Sequence, residues 1–313
     1  MLSVKHLIDT NSLTAQDITS ILDTAASFEE VTNREIKKVP ALRGRTIVNL
    51  FLEPSTRTKS SFELAEKRLS ADSLSMGGST SSVVKGESLA DTIQTISAMN
   101  VDMFVCRARL AGTPQKIIEN TDAIVINAGD GKHQHPTQAL LDLYSIWRHF
   151  GTLSQLKVGI VGDVGHSRVC GSLVPALKIM GAHVTLIAPK TLLPAYPEAL
   201  GADEVTSSLD DALGDLDVVY MLRIQRERLE GAPYPSLREY NLLYGLTRER
   251  EHFMKDTAVI CHPGPINRGV ELDDYMADHP QRSLILDQVY SGVLVRMAML
   301  YLLLGGNDES ISH

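Results

Sequence analysis

The chain has 313 residues, enough for two cores of ordinary size, and its 43% hydrophobic and 22% charged residues are typical of a globular protein. A formal net charge of −8 excludes a broad nucleic-acid-binding face, which needs clustered basic residues, but not a pocket for small anions built from a few arginines. Cys106, Cys170 and Cys261 lie far apart without a CxxC pair, so neither a disulfide framework nor a thiolate zinc site is expected, and a cytoplasmic location is. The opening MLSVKHLIDTN lacks the apolar run of a signal peptide, and the late apolar run Met297 to Leu304 is too short to span a bilayer.

In chain order, Thr14 with Asp17 three residues on forms a capping-box pattern, and Ile18, Ile21, Leu22, Ala25 and Phe28 follow at helical spacing. The spacing predicts a helix to about Lys38, ended by Pro40 and Gly44. Thr46 to Leu52 is a near-continuous apolar run, as in a strand buried on both faces. A helix from Thr58 to Leu69 follows, then helix Leu89–Met99, strand Met103–Cys106, helix Thr113–Glu119 and strand Ala123–Asn127. A long helix is expected from Pro136 to Phe150, stopped by Gly151. A second alternation runs through strand Lys157–Val161, helix Ser172–Met180, strand His183–Ile187, a poorly patterned stretch near Leu192–Asp203, and strands Val218–Leu222 and Ala258–Cys261. The closing helix, Leu284 to Leu304, is apolar over most of its circumference and is expected to be buried. This alternation predicts an α/β protein with two domains, each a mainly parallel sheet flanked by helices. The expected division is 1–135 with the closing helix 284–304 packed back on it, a linking helix 136–150, and 151–283.

Ligands of such sheets bind beyond the carboxyl ends of the strands. After the first strand stands Glu53-Pro54-Ser55-Thr56-Arg57-Thr58, directly before a helix. A helix start offers unpaired N–H groups, and three hydroxyls with one guanidinium around it suit a phosphate. Read alone, Ser55 or Thr56 is equally an ordinary N-cap and Arg57 a solvated arginine. The Ser/Gly-rich stretch Ser79–Ser88 carries Lys85 and suits either a lid over an anion or a solvent loop. In Gly129 to Gln138, two glycines bend the chain and Pro136 suits a first helical position, leaving His135 at the helix start. A neutral imidazole there can donate to a carbonyl oxygen, and Gln138 adds an amide one turn on. His133 and His135 have no acidic or thiol partner at metal spacing, so no metal is expected.

Glycines 159, 162 and 165 invite a dinucleotide reading but miss the GxGxxG spacing, and no GxxxxGK[ST] loop exists. Arg168, Arg223 and Gln225 stand after strands, and two such arginines suit the two carboxylates of a small diacid. Arg226 and Arg228 read as a solvated helix face. Cys261 to Gly269 contains a rigid turn, Pro263-Gly264-Pro265, able to present carbonyl oxygens to an amide or ammonium group, while Cys261 reads as a buried small hydrophobe.

Taken together, Ser55 to Thr58, Ser81 with Lys85-Gly86-Glu87, Arg107, His135 to Gln138, Arg168, Arg223 to Gln225 and His262 to Pro265 resemble, in order and over nearly the whole chain, the transcarbamylase family and its aspartate-using branch. The resemblance implies transfer of a carbamoyl group from carbamoyl phosphate to L-aspartate, without cofactor. It implies a carbamoyl phosphate site of Ser55, Thr56, Arg57, Thr58, Arg107, His135, Gln138, Gly264 and Pro265, and aspartate bound by Arg168, Arg223 and Gln225. Ser81 and Lys85 would come from a neighbouring subunit of a homotrimer, Lys85 serving both substrates, and Arg57, Thr58, His135 and Lys85 would be catalytic. The resemblance also implies a regulatory chain or a dihydroorotase as the partner such a trimer docks with. Ser75-Met76-Gly77 matches an ornithine-enzyme motif but stands in the first domain, and the late turn lacks the cysteine those enzymes carry after histidine. Gly264 departs from the leucine of some aspartate enzymes. An inactive binding relative would be expected to lose Arg57, Lys85 or His135, and all three are present.

Overall fold

The computed structural model describes residues 2–77, 87–224 and 236–305. The chain forms two compact units, Met1–Leu141 with Tyr290–His313, and Asp142–Val289.

The first unit opens with α1 (Ala15–Asn33), whose capping box is formed as the sequence indicates. Thr14 Oγ1 accepts the Asp17 N–H at 3.1 Å and Asp17 Oδ2 accepts the Thr14 N–H at 2.9 Å. The helix stops short of Lys38 because the next residues offer no apolar face; Ile36 is 74% exposed. Strands β1 (Thr46–Phe51), β2 (Asp72–Gly77), β3 (Met103–Ala108) and β4 (Ile124–Asp130) alternate with α2 (Thr56–Arg68), α3 (Leu89–Ser97) and α4 (Thr113–Ile118), and α5 (Pro136–Phe150) follows. All pairings are parallel in the order β2-β1-β3-β4. Val48, Leu50, Phe104, Cys106 and Val125 pack a buried layer with Ile93 and Ile96, each large apolar side chain contributing about 1.5–3 kcal/mol.

The polar residue inside β1 has a role. Asn49 Nδ2 donates to both carboxylate oxygens of Glu66 on α2, at 2.9 and 2.8 Å, and both residues are fully buried. Burial pushes the Glu66 carboxyl above its ordinary range. The pair ties α2 to the sheet and so sets where its N-terminus points.

The second unit contains β5 (Lys157–Val161), α6 (Arg168–Ile179), β6 (His183–Ile187), β7 (Glu204–Thr206), α7 (Leu209–Leu213), β8 (Val218–Met221), α8 (Leu237–Tyr244), β9 (Val259–Cys261) and α9 (Asp274–Ala277). Its strands are parallel in the order β7-β6-β5-β8-β9. The poorly patterned stretch holds two short 3-10 turns, Lys190–Leu192 and Pro197–Leu200. Strands β2 and β7 go beyond the elements that the sequence predicts: they are edge strands, largely exposed, with no continuous apolar run.

The final helix, α10 (Ile285–Leu304), is by length and composition able to cross a membrane, which the short run Met297–Leu304 alone did not reveal. Leu294, Val295 and Met297 to Leu300 are buried inside the protein. Arg296 Nη1 donates to Ser61 Oγ on α2 at 2.8 Å, its guanidinium lies 5.1 Å from the Phe62 ring centroid, and Tyr301 packs edge-on against Phe28 of α1. This is the packing of a core helix. Its first turn departs from the expected burial, for Leu286 and Val289 are exposed.

Burial raises the Asp17 carboxyl, but hydrogen bonds from Ser3 and Thr14 outweigh it and bring it down to about 2. A carboxyl depressed in the folded state stabilises fully above its unfolded titration range and loses that contribution as pH falls through the folded value. Asp17→Asn should therefore lower stability by about 2 kcal/mol at neutral pH, with the gap to wild type closing between about pH 4 and about pH 2; denaturant titrations across that range measure it.

Candidate active site

In each sheet the winding reverses once. In the first unit β1 lies between β2 and β3, so the chain leaves β1 to one side for β2 and returns to the other for β3; in the second unit β5 lies between β6 and β8 in the same way. The two loops that leave neighbouring strands at such a reversal diverge, opening a crevice at their carboxyl ends.

At the first reversal Phe51 and Arg107 are register partners. Ser55 is the N-cap residue of α2 and makes no capping bond with its side chain, so the first-turn N–H groups are not closed off by its hydroxyl. Thr56 and Arg57 are exposed in the first turn and Thr58 is buried. Arg107 gathers the surroundings: it donates to Glu53 Oε1 from Nε at 3.2 Å and from Nη2 at 2.9 Å, and Nη1 reaches Thr58 Oγ1 at 3.4 Å and the Ala128 carbonyl at 3.3 Å. That carbonyl is available because β4 carries an extra residue here: Cys106 pairs with Asn127 but Ala108 with Asp130.

Past this bulge, the loop to α5 is built around Asp130, which is 1% exposed. Its Oδ1 accepts Asn127 Nδ2 at 2.8 Å and the Gln134 N–H at 3.1 Å, and its Oδ2 accepts the Gly112 N–H at 2.8 Å with His133 Nδ1 at 3.1 Å. Gly131, at φ +50°, lies so close to the neighbouring turn that a Cβ would stand 2.9 Å from the Ala111 nitrogen. The buried His135 then precedes α5, its Nδ1 3.4 Å from Thr137 Oγ1, with Gln138 half-buried one turn on.

At the second reversal Val161 and Met221 are register partners. Arg168 is the buried first residue of α6, and Arg223 stands two residues after β8. The loop before Arg168 is held by the fully buried Asp163, whose Oδ1 lies 2.6 Å from His166 Nδ1. After β9, the 262–265 turn contains Gly264 at φ +64° and a cis Gly264–Pro265 bond. Ser81, Lys85 and Gln225, with Arg226 and Arg228, lie outside the described residues.

Glu53, Asp130 and Asp163 carry no sequence signal beyond being a carboxylate at or just past the end of a buried strand. All three cysteines are buried. Burial pushes the Cys170 thiol up to about 12 and holds those of Cys106 and Cys261 above their ordinary range, which is unsuited to nucleophilic thiolate chemistry.

Residues 5–148 match the carbamoyl-P binding domain of aspartate/ornithine carbamoyltransferase, and residues 154–303 match its Asp/Orn binding domain. The chain belongs to the aspartate/ornithine carbamoyltransferase family. Among the relatives of this carbamoyltransferase, the aspartate carbamoyltransferase catalytic subunit of Syntrophotalea carbinolica is 53% identical, over 96% of each chain. The catalytic subunit of M. jannaschii aspartate transcarbamoylase superposes with a TM-score of 0.84 at 38% identity, covering 98% of this chain and 100% of the other. Aspartate transcarbamoylase from Trypanosoma cruzi, in complex with carbamoyl phosphate and aspartate, gives a TM-score of 0.87 at 28% identity, covering 97% of this chain and 98% of the other.

Asp130→Ala removes the acceptor of two backbone N–H groups and one amide. It should destabilise the loop by about 2–3 kcal/mol, read as faster hydrogen exchange at the Gly112 and Gln134 amides with exchange in β5 unchanged.

Proposed function

We propose that this chain transfers the carbamoyl group of carbamoyl phosphate to the amino group of L-aspartate, giving N-carbamoyl-L-aspartate and phosphate, an early step of de novo pyrimidine synthesis. The observation that carries this reading is that both winding reversals hold arginines at strand ends, Arg107 with the α2 N-terminus in one unit and Arg168 with Arg223 in the other. One set suits a phosphate and the other a dicarboxylate. The aspartate-using relative, identical at 53% of positions, favours aspartate over ornithine, as does the turn His262-Pro263-Gly264-Pro265 with no cysteine.

We assign the phosphate to Ser55, Thr56, Arg57, Thr58 and Arg107, with Ser81 and Lys85 supplied by an adjacent subunit of a homotrimer. Arg57, Thr58 and His135 donate to the carbonyl oxygen, and Gln138 with the carbonyls of Gly264 and Pro265 hold the carbamoyl NH₂. Arg168, Arg223, Gln225 and Lys85 bind the aspartate carboxylates and aim the amine at the carbonyl carbon. As the amine attacks, the C=O π electrons move to oxygen, where the donors stabilise the developing charge. Collapse of the tetrahedral intermediate breaks the bond to the phosphate oxygen, and the departing phosphate takes the amine proton. No protein group becomes covalently bonded.

Purified protein should carbamoylate aspartate and not ornithine, with phosphate and product followed together. Arg57→Ala should lower kcat by roughly 10²–10³, the cost of one oxyanion donor, and Arg223→Ala should act mainly on KM for aspartate. Transfer to ornithine alone would overturn the assignment of Arg168 and Arg223.

A further inference from the structure

The 262–265 turn is held by a chain of buried hydrogen bonds to which the proposed reaction gives no role. Tyr220 on β8 donates to Asp142 Oδ2 at 2.6 Å, and Gln288 Nε2 donates to Asp142 Oδ1 at 2.7 Å. The other end of the same amide, Gln288 Oε1, accepts the His262 backbone N–H at 2.9 Å. The Gln288 orientation is thereby forced, since a flipped amide would set donor against donor and oxygen against carboxylate. The imidazole is fixed by the same logic. Gly264 donates its N–H to His262 Nδ1 at 2.8 Å, so Nδ1 carries no proton and Nε2 does. That Nε2–H faces Glu271 Oε1 at 3.3 Å, and the same oxygen accepts the Asn267 N–H at 2.6 Å. Tyr220, Asp142, Gln288, His262 and Glu271 are each at most 3% exposed. Glu271 Oε2 has no hydrogen-bond partner, but the other polar atoms just named are paired, and any alternative conformation would strand further buried donors or acceptors.

We propose that Gln288, Glu271 and the His262 ring are positioning residues for carbamoyl recognition: they fix the 262–265 backbone so that its carbonyl oxygens accept from an NH₂ group. This rests on the reading of Gly264 and Pro265 as carbamoyl ligands given above. The chain acts on the amide end of the substrate, whereas Ser55 to Thr58 and Arg107 act on the phosphate end, so the two ends respond differently to its loss.

The test is calorimetric binding of carbamoyl phosphate and, separately, of inorganic phosphate to the full-length protein and to Gln288→Ala, Glu271→Ala and Glu271→Gln. Losing properly aimed acceptors should weaken carbamoyl phosphate roughly tenfold in both alanine variants, while phosphate affinity stays at the wild-type value. Glu271→Gln keeps an oxygen able to accept both bonds and should recover most of the lost affinity. Wild-type carbamoyl phosphate affinity in the alanine variants, or equal weakening of both ligands, would overturn the positioning role. If Gln288→Ala does not fold, the Glu271 pair gives the same comparison. A wild type that binds carbamoyl phosphate no tighter than phosphate would instead overturn the underlying assignment of the turn.

Discussion

Both sheets are wholly parallel, and that constraint places everything else. A parallel strand cannot be reached by a tight turn, so every connection must cross over the sheet, and strands covered on both faces must be apolar along their length. Polar chemistry is thereby pushed to the strand ends. Where the winding reverses, two loops part and leave those ends uncovered. Register then brings particular residues side by side: Phe51 beside Arg107 at one reversal, Val161 beside Met221 at the other. The α2 N-terminus and Arg107 meet for this reason, and the loops bearing Arg168 and Arg223 start from neighbouring strands for the same reason.

Arginines placed at strand ends still have to be aimed. The recurring device is a carboxylate set at or near a strand end: Glu53 against Arg107, Asp163 against His166 in the loop before Arg168, and Asp130 at the end of β4, where the loop that leads to His135 begins. Removing a carboxylate from water costs several kcal/mol, which its partners at best return, so such groups add little net stability. What they supply is direction. Asp130 takes two backbone N–H groups and one side-chain amide and so links Gly112 and Gln134, on two different loops, with Asn127 of β4 in one geometry.

The α/β class and the central strands were legible in the sequence because a strand buried on both faces must read as an unbroken apolar run, as Thr46 to Leu52 does. The edge strands β2 and β7 were not, since half their surface faces solvent and their residues follow no strict pattern. The residues that flank the reversals were legible as hydroxyl- and arginine-bearing segments after strands, and the capping box of α1 from two residues alone. The buried carboxylates were not. Asp130 closes a strand and Asp163 follows one, as many aspartates do, and only the fold reveals that their oxygens face backbone N–H groups or an imidazole rather than water. Asn49 is the clearest case: in the sequence it interrupts an apolar strand, whereas in the structure it binds Glu66 and fastens the helix that carries Thr56 to Thr58.

The proposed chemistry explains why so much of the chain is spent on orientation. A direct attack of an amine on a carbamoyl carbon uses no protein nucleophile, and the three thiols are buried and held protonated. Rate must then come from placing two reactants and a few donors, and the gain from approximation falls steeply when geometry slackens by about 1 Å. Donors on loosely held loops would spend that gain on reorganisation during each turnover. Among the described residues, Arg107 sits at the end of a strand and Thr56, Arg57, Thr58 and Arg168 in the first turns of helices, and the 262–265 turn and the loop before His135 are held by buried hydrogen bonds. The same reasoning accounts for Gly131: at φ +50° its bare backbone passes the neighbouring turn so closely that a Cβ would stand 2.9 Å from the Ala111 nitrogen, so a side chain there would push apart the two loops that Asp130 joins.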